Sequence, residues 1–429
     1  MGNIFDTAKK DAIVRESKVV ELKSMVEIKE ALDPPDNFQP LVKSMVEIKE
    51  ALDPPDNLPP IYLPTDILIN IFSRLSVKIL CSCKCVSKEW HQVISSNQHF
   101  MESHRIFSLK NPVLLFTYHY HSKKNTDEHT ISLHCSHVNG MFYSHFTKDD
   151  HFYSYSFLSC AGLICMFRLN SSFSIINPSI QEFLQLPKHC GQSNEQSVGF
   201  GFLESRKEYR IASLLSRPNS DDTELWCEIF YLKEGEGNSG SWRDAGKCPF
   251  RIFEISSPAC VNGVIYWLAR DKDHLDNKIL MISLDLEQEK FSSVRYPDHI
   301  SSLDFLEFSL DQLSLVELKG CLCLVDNSSE NLITDVWTLK DAKNQTWFKE
   351  YSIALGTLDD SITVCCNPMD VRDGEILLEA SPGDEGRQGR LYFYNIEKKT
   401  FRTTEDIAGD WLSGLYFETF FSLRSRRQI

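Results

Sequence analysis

The sequence lacks any long apolar run. No stretch approaches the ~20 uninterrupted apolar residues that a membrane-spanning helix needs. The first residues, with Lys9, Lys10 and Arg15, also lack the apolar core of a signal peptide. We therefore expect a soluble chain of the cytoplasm and/or nucleus, with no membrane partner.

Positive charge is also in short supply. Lys and Arg number 45 against 60 Asp and Glu, which leaves a formal net charge of -15 at pH 7. Binding to phosphate groups depends on clustered Lys and Arg. This balance argues against nucleic acid and anionic lipid as general partners.

The motifs of common enzymes are missing as well. The sequence contains no Gly-x-Ser-x-Gly, no Walker loop, no dinucleotide fingerprint and no His-Glu-x-x-His. Carboxylate pairs such as Asp149-Asp150 and Asp221-Asp222 are typical of solvated turns. We expect no catalytic residue, no cofactor and no enzymatic activity.

Cysteine and histidine are present without a metal-binding pattern. The 14 Cys are irregularly spaced, so reduced thiols are expected. Cys81, Cys83 and Cys85 cannot converge on a metal ion from a helix, where alternate residues point about 200° apart, and are expected to be packing residues. His119 and His121 would share one face of a strand, a spacing that zinc sites use. Since neither a Cys nor a carboxylate completes that pattern, we predict no metal site.

Residues 1–60 contain an internal duplication. The segment 23–37 recurs letter for letter at 43–57. Each copy has apolar residues at helical spacing (Met25, Ile28 and Leu32 in the first) and ends on Asp-Pro-Pro, which cannot continue a helix. Such helices are too short to be stable alone. The segment is either a partner-binding peptide or a dispensable flexible leader, and we expect the leader.

A pattern of three short helices follows. Leu63-Pro64-Thr65-Asp66 starts a helix with a proline and an acid near its positive end. One broad apolar stripe then comprises Ile67, Leu68, Ile71, Phe72 and Leu75. Ser76 and Ser87 are placed to cap a second and a third helix. So small a unit holds little core, and typically completes its packing against a partner or a neighbouring domain.

These residues carry a family likeness. The order Leu63-Pro64, Ile67-Leu68, Leu75-x-Val77-Lys78 and Cys85-Val86-x-Lys88-x-Trp90, ending near Phe100 and His104, resembles the F-box, here placed at residues 61–107. Ser76 stands where the family usually has proline. The resemblance implies docking to a Skp-type adaptor. The residues implied in that docking, or in the core beneath it, are Leu63, Pro64, Ile67, Leu68, Ile71, Leu75, Val77, Leu80, Cys85, Val86 and Trp90.

From residue 108 to 423 the pattern changes to short β-rich runs separated by Gly, Asn, Asp and Ser turns. Many short strands without long helices between them indicate an all-β domain, and the length of the region favours a propeller. The predicted strands include 112–118, 162–167, 209–215, 228–232, 263–268, 278–286, 321–325, 335–339, 375–379 and 390–395.

This region resembles the F-box-associated domain of large plant families, including the pollen S-locus group. The likeness lies in Ser159 to Cys165, Gly199-Phe200-Gly201-Phe202, Glu208-Tyr209-Arg210-Ile211, Val261 to Ala269 and Val336 to Lys340. Ala161 departs from the family, which usually has Asn before Gly-Leu. Trp242, Trp267, Trp337 and Trp347 recur at similar points of successive units and are expected to pack within the sheets.

The predicted architecture is an α+β multidomain chain: a leader, a three-helix F-box, an all-β propeller-like domain and a basic tail at 424–429. By resemblance, the chain is a non-catalytic substrate-recognition subunit of an SCF-type E3 ubiquitin ligase. Its partners would be the Skp-type adaptor, cullin through that adaptor, and a protein substrate held by loops of the β domain. The alternatives are a binding scaffold outside the ligase and, more remotely, a propeller-fold enzyme.

Overall fold

The computed structural model describes most of the chain beyond residue 62. The described residues are 63–121, 129–137, 140–147, 156–168, 172–189, 194–218, 220, 223–237, 240–271, 279–297, 312–328, 332–356, 365–381, 390–403 and 411–424. The duplicated leader lies outside them, as does the basic tail after Arg424.

The described residues divide into two compact units. The first, called the helical unit here, contains the residues up to Pro112 together with His137–Met141 and Glu418–Phe420. The second, the propeller unit, contains Val113–Ser136, Phe142–Phe417 and Phe421–Ile429. A short piece of the C-terminal segment therefore belongs to the N-terminal unit.

The described part of the helical unit contains four α-helices, one more than the three-helix prediction. They are α1 (Thr65–Phe72), α2 (Val77–Cys83), α3 (Lys88–Ser96) and α4 (Gln98–Lys110). None of the described helices is long and apolar enough to cross a bilayer.

Local capping hydrogen bonds start three of these helices. Ser76 Oγ accepts from the backbone N–H of Ile79 at 3.4 Å, and Ser87 Oγ accepts from that of Trp90 at 3.1 Å. Both predicted caps are confirmed. Asn97 caps α4 in the same way, through Phe100 N at 3.0 Å. These bonds satisfy backbone donors that lack a partner inside the helix.

The described β-strands number 24. They are β1 (Val113–His121), β2 (His129–His137), β3 (Gly140–Thr147), β4 (Ser156–Cys160), β5 (Leu163–Arg168), β6 (Ser172–Asn177), β7 (Glu182–Gln185), β8 (Asn194–Leu203), β9 (Glu208–Ser216), β10 (Glu224–Lys233), β11 (Arg243–Ile255), β12 (Ala259–Val261), β13 (Val264–Asp271), β14 (Ile279–Asp285), β15 (Lys290–Val294), β16 (Leu313–Leu318), β17 (Cys321–Asp326), β18 (Ile333–Asp341), β19 (Thr346–Ala354), β20 (Cys365–Arg372), β21 (Glu375–Ser381), β22 (Arg390–Asn395), β23 (Thr400–Thr403) and β24 (Trp411–Tyr416). Each of the ten strands named from the sequence overlaps one of these, so the all-β prediction is confirmed.

The strands form five antiparallel sheets, arranged as the blades of a propeller. Four sheets have four strands: β24-β1-β2-β3, β4 to β7, β16 to β19 and β20 to β23. The fifth has eight strands, because the long β11 pairs with β10 over Arg243–Arg251 and then with β13 over Ile252–Ile255. Strand β24, from the C-terminal end, pairs with β1 and closes the ring, which leaves fewer open sheet edges.

The hairpins repeat one turn type. The two-residue turns Ala161-Gly162, Asn262-Gly263, Lys319-Gly320 and Asp373-Gly374 all have positive φ at both residues. Such turns match the right-handed twist of the strands they join, and they favour Asn, Asp or Gly at the first position. Ala161, with φ 43°, departs from this preference in the same way that it departs from the family.

Replacing Ala161 with asparagine is expected to stabilise the propeller unit. Asparagine tolerates the left-handed region better than alanine does, so the free energy of unfolding should rise by about 0.5–1 kcal/mol. Urea denaturation of the full chain measures this change. The reverse substitution Asn262→Ala is the matched control and should destabilise, since it also removes the hydrogen bond from Asn262 Nδ2 to Gly320 O. A loss of stability in Ala161→Asn would mean that packing around this turn outweighs its backbone preference.

Successive groups of strands share hydrophobic cores. Trp267 on β13 is fully buried, and its indole N–H donates to Ser197 Oγ on β8 at 3.0 Å. Trp242 is buried in the core shared by β5, β6 and β8 to β10. Trp337 and Trp347 pack on the core shared by β12 to β14 and β16 to β18. The prediction that these four tryptophans are packing residues is confirmed.

Candidate adaptor-docking site

Helix α1 presents a partly apolar outer flank. Pro64 at its N-terminus is exposed, the Ile67 side chain is 46 % exposed, and Ile71 is half-buried. Ile67 and Ile71 are one helical turn apart, so they lie on the same side of the helix. The exposed proline and isoleucine give this flank a partly apolar surface.

The inner face of α1 is part of the core. Leu68 (3 % exposed), Ile69 and Phe72 are buried, and Leu75 (4 % exposed) lies beyond the helix end in the same core. The single apolar stripe predicted from the sequence is therefore divided, with Ile67 outside and Ile69 added inside. Leu68 and Leu75 lie inside this core and present almost no side-chain surface to a partner.

Helix α2 is likewise divided between residues that are buried in the core and residues that are exposed. Val77 and Leu80 are fully buried, so they too act from within the core. Cys83 packs against that core, and burial raises the pKa of its thiol to about 11. Cys81 and Cys85, in contrast, are exposed, so the prediction that all three cysteines are packing residues is wrong for these two.

The remaining predicted residues lie at the edge of the core. Leu63, Val86 and Trp90 are half-buried, and the Trp90 ring meets Phe72 edge-on at 4.9 Å between centroids. Of the eleven residues predicted for docking, the structure thus places four inside the core. The other seven, which keep exposed surface, are Leu63, Pro64, Ile67, Ile71, Cys85, Val86 and Trp90.

Helix α4 is joined to the turn after α1 by one buried polar residue, His104. His104 is buried, and its Nε2 lies 3.1 Å from Leu75 O, the distance of an N–H donating to a carbonyl. Burial lowers the pKa of His104, although this hydrogen bond opposes the shift. The neutral imidazole thereby ties α4 to the turn between α1 and α2.

Two profile comparisons identify the family. The model of the F-box associated beta propeller domain matches residues 94–409, and the F-box-like model matches residues 61–106. The chain belongs to the F-box associated beta propeller family. The resemblance stated from the sequence, an F-box followed by its associated domain, is confirmed.

Individual relatives of this F-box protein come from Arabidopsis thaliana. The chain is 28 % identical to the F-box protein At3g07870 over 328 residues, which cover 68 % of this chain and 72 % of that protein. It is 27 % identical to the putative F-box protein At1g53550 over 367 residues, or 78 % of this chain and 83 % of that one. The F-box/kelch-repeat protein At2g43445 is 26 % identical over 356 residues, which cover 80 % and 77 %.

The helical unit includes residues that the F-box motif did not contain. Phe420 packs against the core of the four helices, and Glu418 accepts a hydrogen bond at the start of α2. Local sequence carries no signal for either contact. Phe100 and His104, which the motif did contain, were the available sign of α4, because their spacing of four is helical.

Among the described residues of the propeller unit, His189 and two carboxylates form a buried cluster that resembles a chemical site. His189 lies between Glu195 Oε1 (3.1 Å from Nε2) and Glu228 Oε2 (2.7 Å from Nδ1), and its ring packs on Trp242 at 3.9 Å. Burial lowers the pKa of His189, but the two neighbouring carboxylates outweigh it, so the pKa is raised overall. The three side chains are 5 %, 5 % and 10 % exposed, so a substrate has little access and the cluster is best understood as structural.

Proposed function

We propose that this F-box protein is the substrate-recognition subunit of an SCF-type E3 ubiquitin ligase. Its F-box would dock a Skp-type adaptor and, through it, cullin, while the propeller unit holds a protein substrate. The chain would act in the cytoplasm and/or nucleus. It would perform no bond chemistry itself and would raise the effective concentration of a substrate lysine near the conjugating enzyme.

One observation carries this proposal: the partly apolar outer flank of α1 lies directly above a well-packed core. Ile67 and Pro64 are exposed, whereas Leu68 and Leu80 are buried in the core of the helical unit. A rigid helix that shows an apolar anchor suits a protein interface, where a few buried apolar residues supply most of the affinity. The four buried residues would hold the helices in position, and the seven residues with exposed surface would form the contact surface itself.

Affinity purification from cells treated with a proteasome inhibitor tests the proposal. Recovery of both the adaptor and cullin with the tagged full chain is the expected result. Recovery of a stable partner without adaptor or cullin would contradict it and would favour a scaffold outside the ligase. Calorimetric titration of the purified chain with a Skp-type adaptor provides the direct measurement.

A further inference from the structure

The helical unit contains three residues from the far end of the chain. Glu418 and Val77, which are joined by a hydrogen bond, are 341 residues apart in sequence. Residues Glu418–Phe420 nevertheless belong to the same compact unit as helices α1 to α4. The F-box motif, as defined by local sequence, is therefore not the whole of this packed unit.

Phe420 provides the apolar part of the contact. Its ring centroid lies 6.2 Å from that of Phe100 and 5.5 Å from that of His104, both on the buried face of α4. The Lys84 ammonium, just after α2, lies 4.7 Å from the same ring centroid, within cation–π distance. One phenyl ring thus contacts α4 and the end of α2 together.

Glu418 provides the polar part. Its Oε2 accepts from the backbone N–H of Val77, the first residue of α2, at 3.1 Å. Ser76 Oγ accepts from Ile79 N in the same turn, so the two side chains divide the free N–H groups of this helix start between them. Glu418 also lies close enough to Cys81 for its charge to add to the rise that burial causes in the pKa of that thiol.

Helix α2 needs such external support. It has seven residues, of which only Val77 and Leu80 are buried. An isolated helix of this length is unstable in water, so tertiary contacts must hold it. Phe420 meets its C-terminal end and Glu418 its N-terminal end, which fixes both the position and the direction of the helix.

We propose that Glu418 and Phe420 are positioning residues of the adaptor-docking site, and that docking through the F-box requires this C-terminal segment. The proposal rests on the proposed function, because it concerns the same surface. It predicts that the isolated F-box segment is an incomplete docking module.

Neighbouring phenylalanines offer a matched test. Phe420 contacts the helical unit, whereas Phe421 belongs to the propeller unit, where its ring meets Tyr209 edge-on at 4.8 Å. In the full chain, Phe420→Ala should speed hydrogen exchange of the α2 amides about tenfold or more and weaken binding of a Skp-type adaptor to a similar degree. Phe421→Ala should leave both within about twofold of the wild type.

A pH series separates positioning by Glu418 from general packing. Burial raises the pKa of Glu418 to about 7, and the hydrogen bond from Val77 opposes this. This folded-state pKa exceeds the ordinary value of 4.5. The stability that the protonated Glu418 carboxyl group contributes to the fold is therefore complete below pH 4.5 and is lost as the pH rises through about 7. Protection of α2, corrected for intrinsic exchange, should therefore fall between about pH 4.5 and 7 in the wild type and level off above that, and it should stay flatter in Glu418→Gln, which keeps an oxygen acceptor.

Among the described residues, the titratable and charged groups recorded at this contact besides Glu418 are Cys81, Lys84 and His104. All three remain in Glu418→Gln, so the difference between the two proteins reports on Glu418. Parallel pH profiles of wild type and Glu418→Gln would overturn its role. Equal adaptor affinity of wild type and Phe420→Ala would overturn the inference while leaving the proposed function intact. A wild-type chain that binds no adaptor would contradict the proposed function itself, and with it the docking role.

Discussion

Replacing Ile67 with aspartate is expected to weaken docking of a Skp-type adaptor about a hundredfold or more while leaving the protein folded. The Ile67 side chain is 46 % exposed on the outer flank of α1, so a carboxylate there stays hydrated in the free chain. In the complex the same carboxylate would be buried without a partner, which costs several kcal/mol. A few kcal/mol is about a hundredfold in affinity. Calorimetric titration of the full chain measures the loss.

Ile106→Asp is the matched control for this experiment. Ile106 lies on α4, is 43 % exposed and is the same residue type, but it was not predicted to contact the adaptor. Its replacement should leave the adaptor affinity within about threefold of the wild type. Wild-type affinity in Ile67→Asp would show that the adaptor does not dock on this flank. Equal losses in both variants would place α4 inside the interface.

The second large effect is expected in the propeller unit, where Arg210→Ala should strongly destabilise the fold. The Arg210 side chain is 3 % exposed, and its guanidinium donates to Glu208 Oε1 at 2.9 and 2.6 Å and to Glu289 Oε1 at 3.0 Å. It also donates to Leu286 O and lies 4.6 Å from the Tyr231 ring centroid. Strand β9 is thereby joined to the turn between β14 and β15, across the two halves of the eight-stranded sheet.

Removing this guanidinium leaves the buried Glu208 carboxylate without its principal partner. Breaking a buried ion pair on one side costs about 3–5 kcal/mol. Urea denaturation followed by tryptophan fluorescence measures the change, since Trp267 is buried in the same sheet. Arg217→Ala is the control: Arg217 pairs with Asp244 at 2.6 Å but is 36 % exposed, so its loss should cost at most about 1 kcal/mol. Similar losses in the two variants would mean that the Arg210 network adds little beyond a surface ion pair.

Features encoded over a few residues were predicted well. Ser76 and Ser87 act as caps because a capping side chain reaches a backbone N–H only three residues away. The general expectation of Gly, Asn and Asp turns between strands also holds, as at Asn262-Gly263 and Asp373-Gly374, because these residues tolerate positive φ. Strand positions were recovered for the same reason, since β-rich runs and turn residues alternate along the chain.

Errors arose where the same sequence pattern is compatible with both a buried and an exposed position. Periodicity grouped Ile67 with Leu68 in one stripe, but which edge of a stripe meets the core depends on the helices packed against it. A double aspartate substitution at Leu68 and Leu75 would therefore unfold the helical unit, because both are nearly inaccessible (3 % and 4 % exposed). The three cysteines around α2 had the same ambiguity, with Cys83 inside and the other two exposed.

The sequence alone determined the family, the order of helical and β-rich segments, the helix caps and the packing role of the tryptophans. Each depends on residue type and short spacing, which the chain carries locally. Only the tertiary structure decided which of the predicted docking residues keep an exposed side chain, that Arg210 pairs with Glu289, and that Phe420 packs on the core of the helical unit. Arg210 and Glu289 are 79 positions apart in sequence, and the C-terminal segment contacts helices more than 300 positions away. A single sequence carries no local signal for such pairs, because only the packing of sheets and helices brings them together.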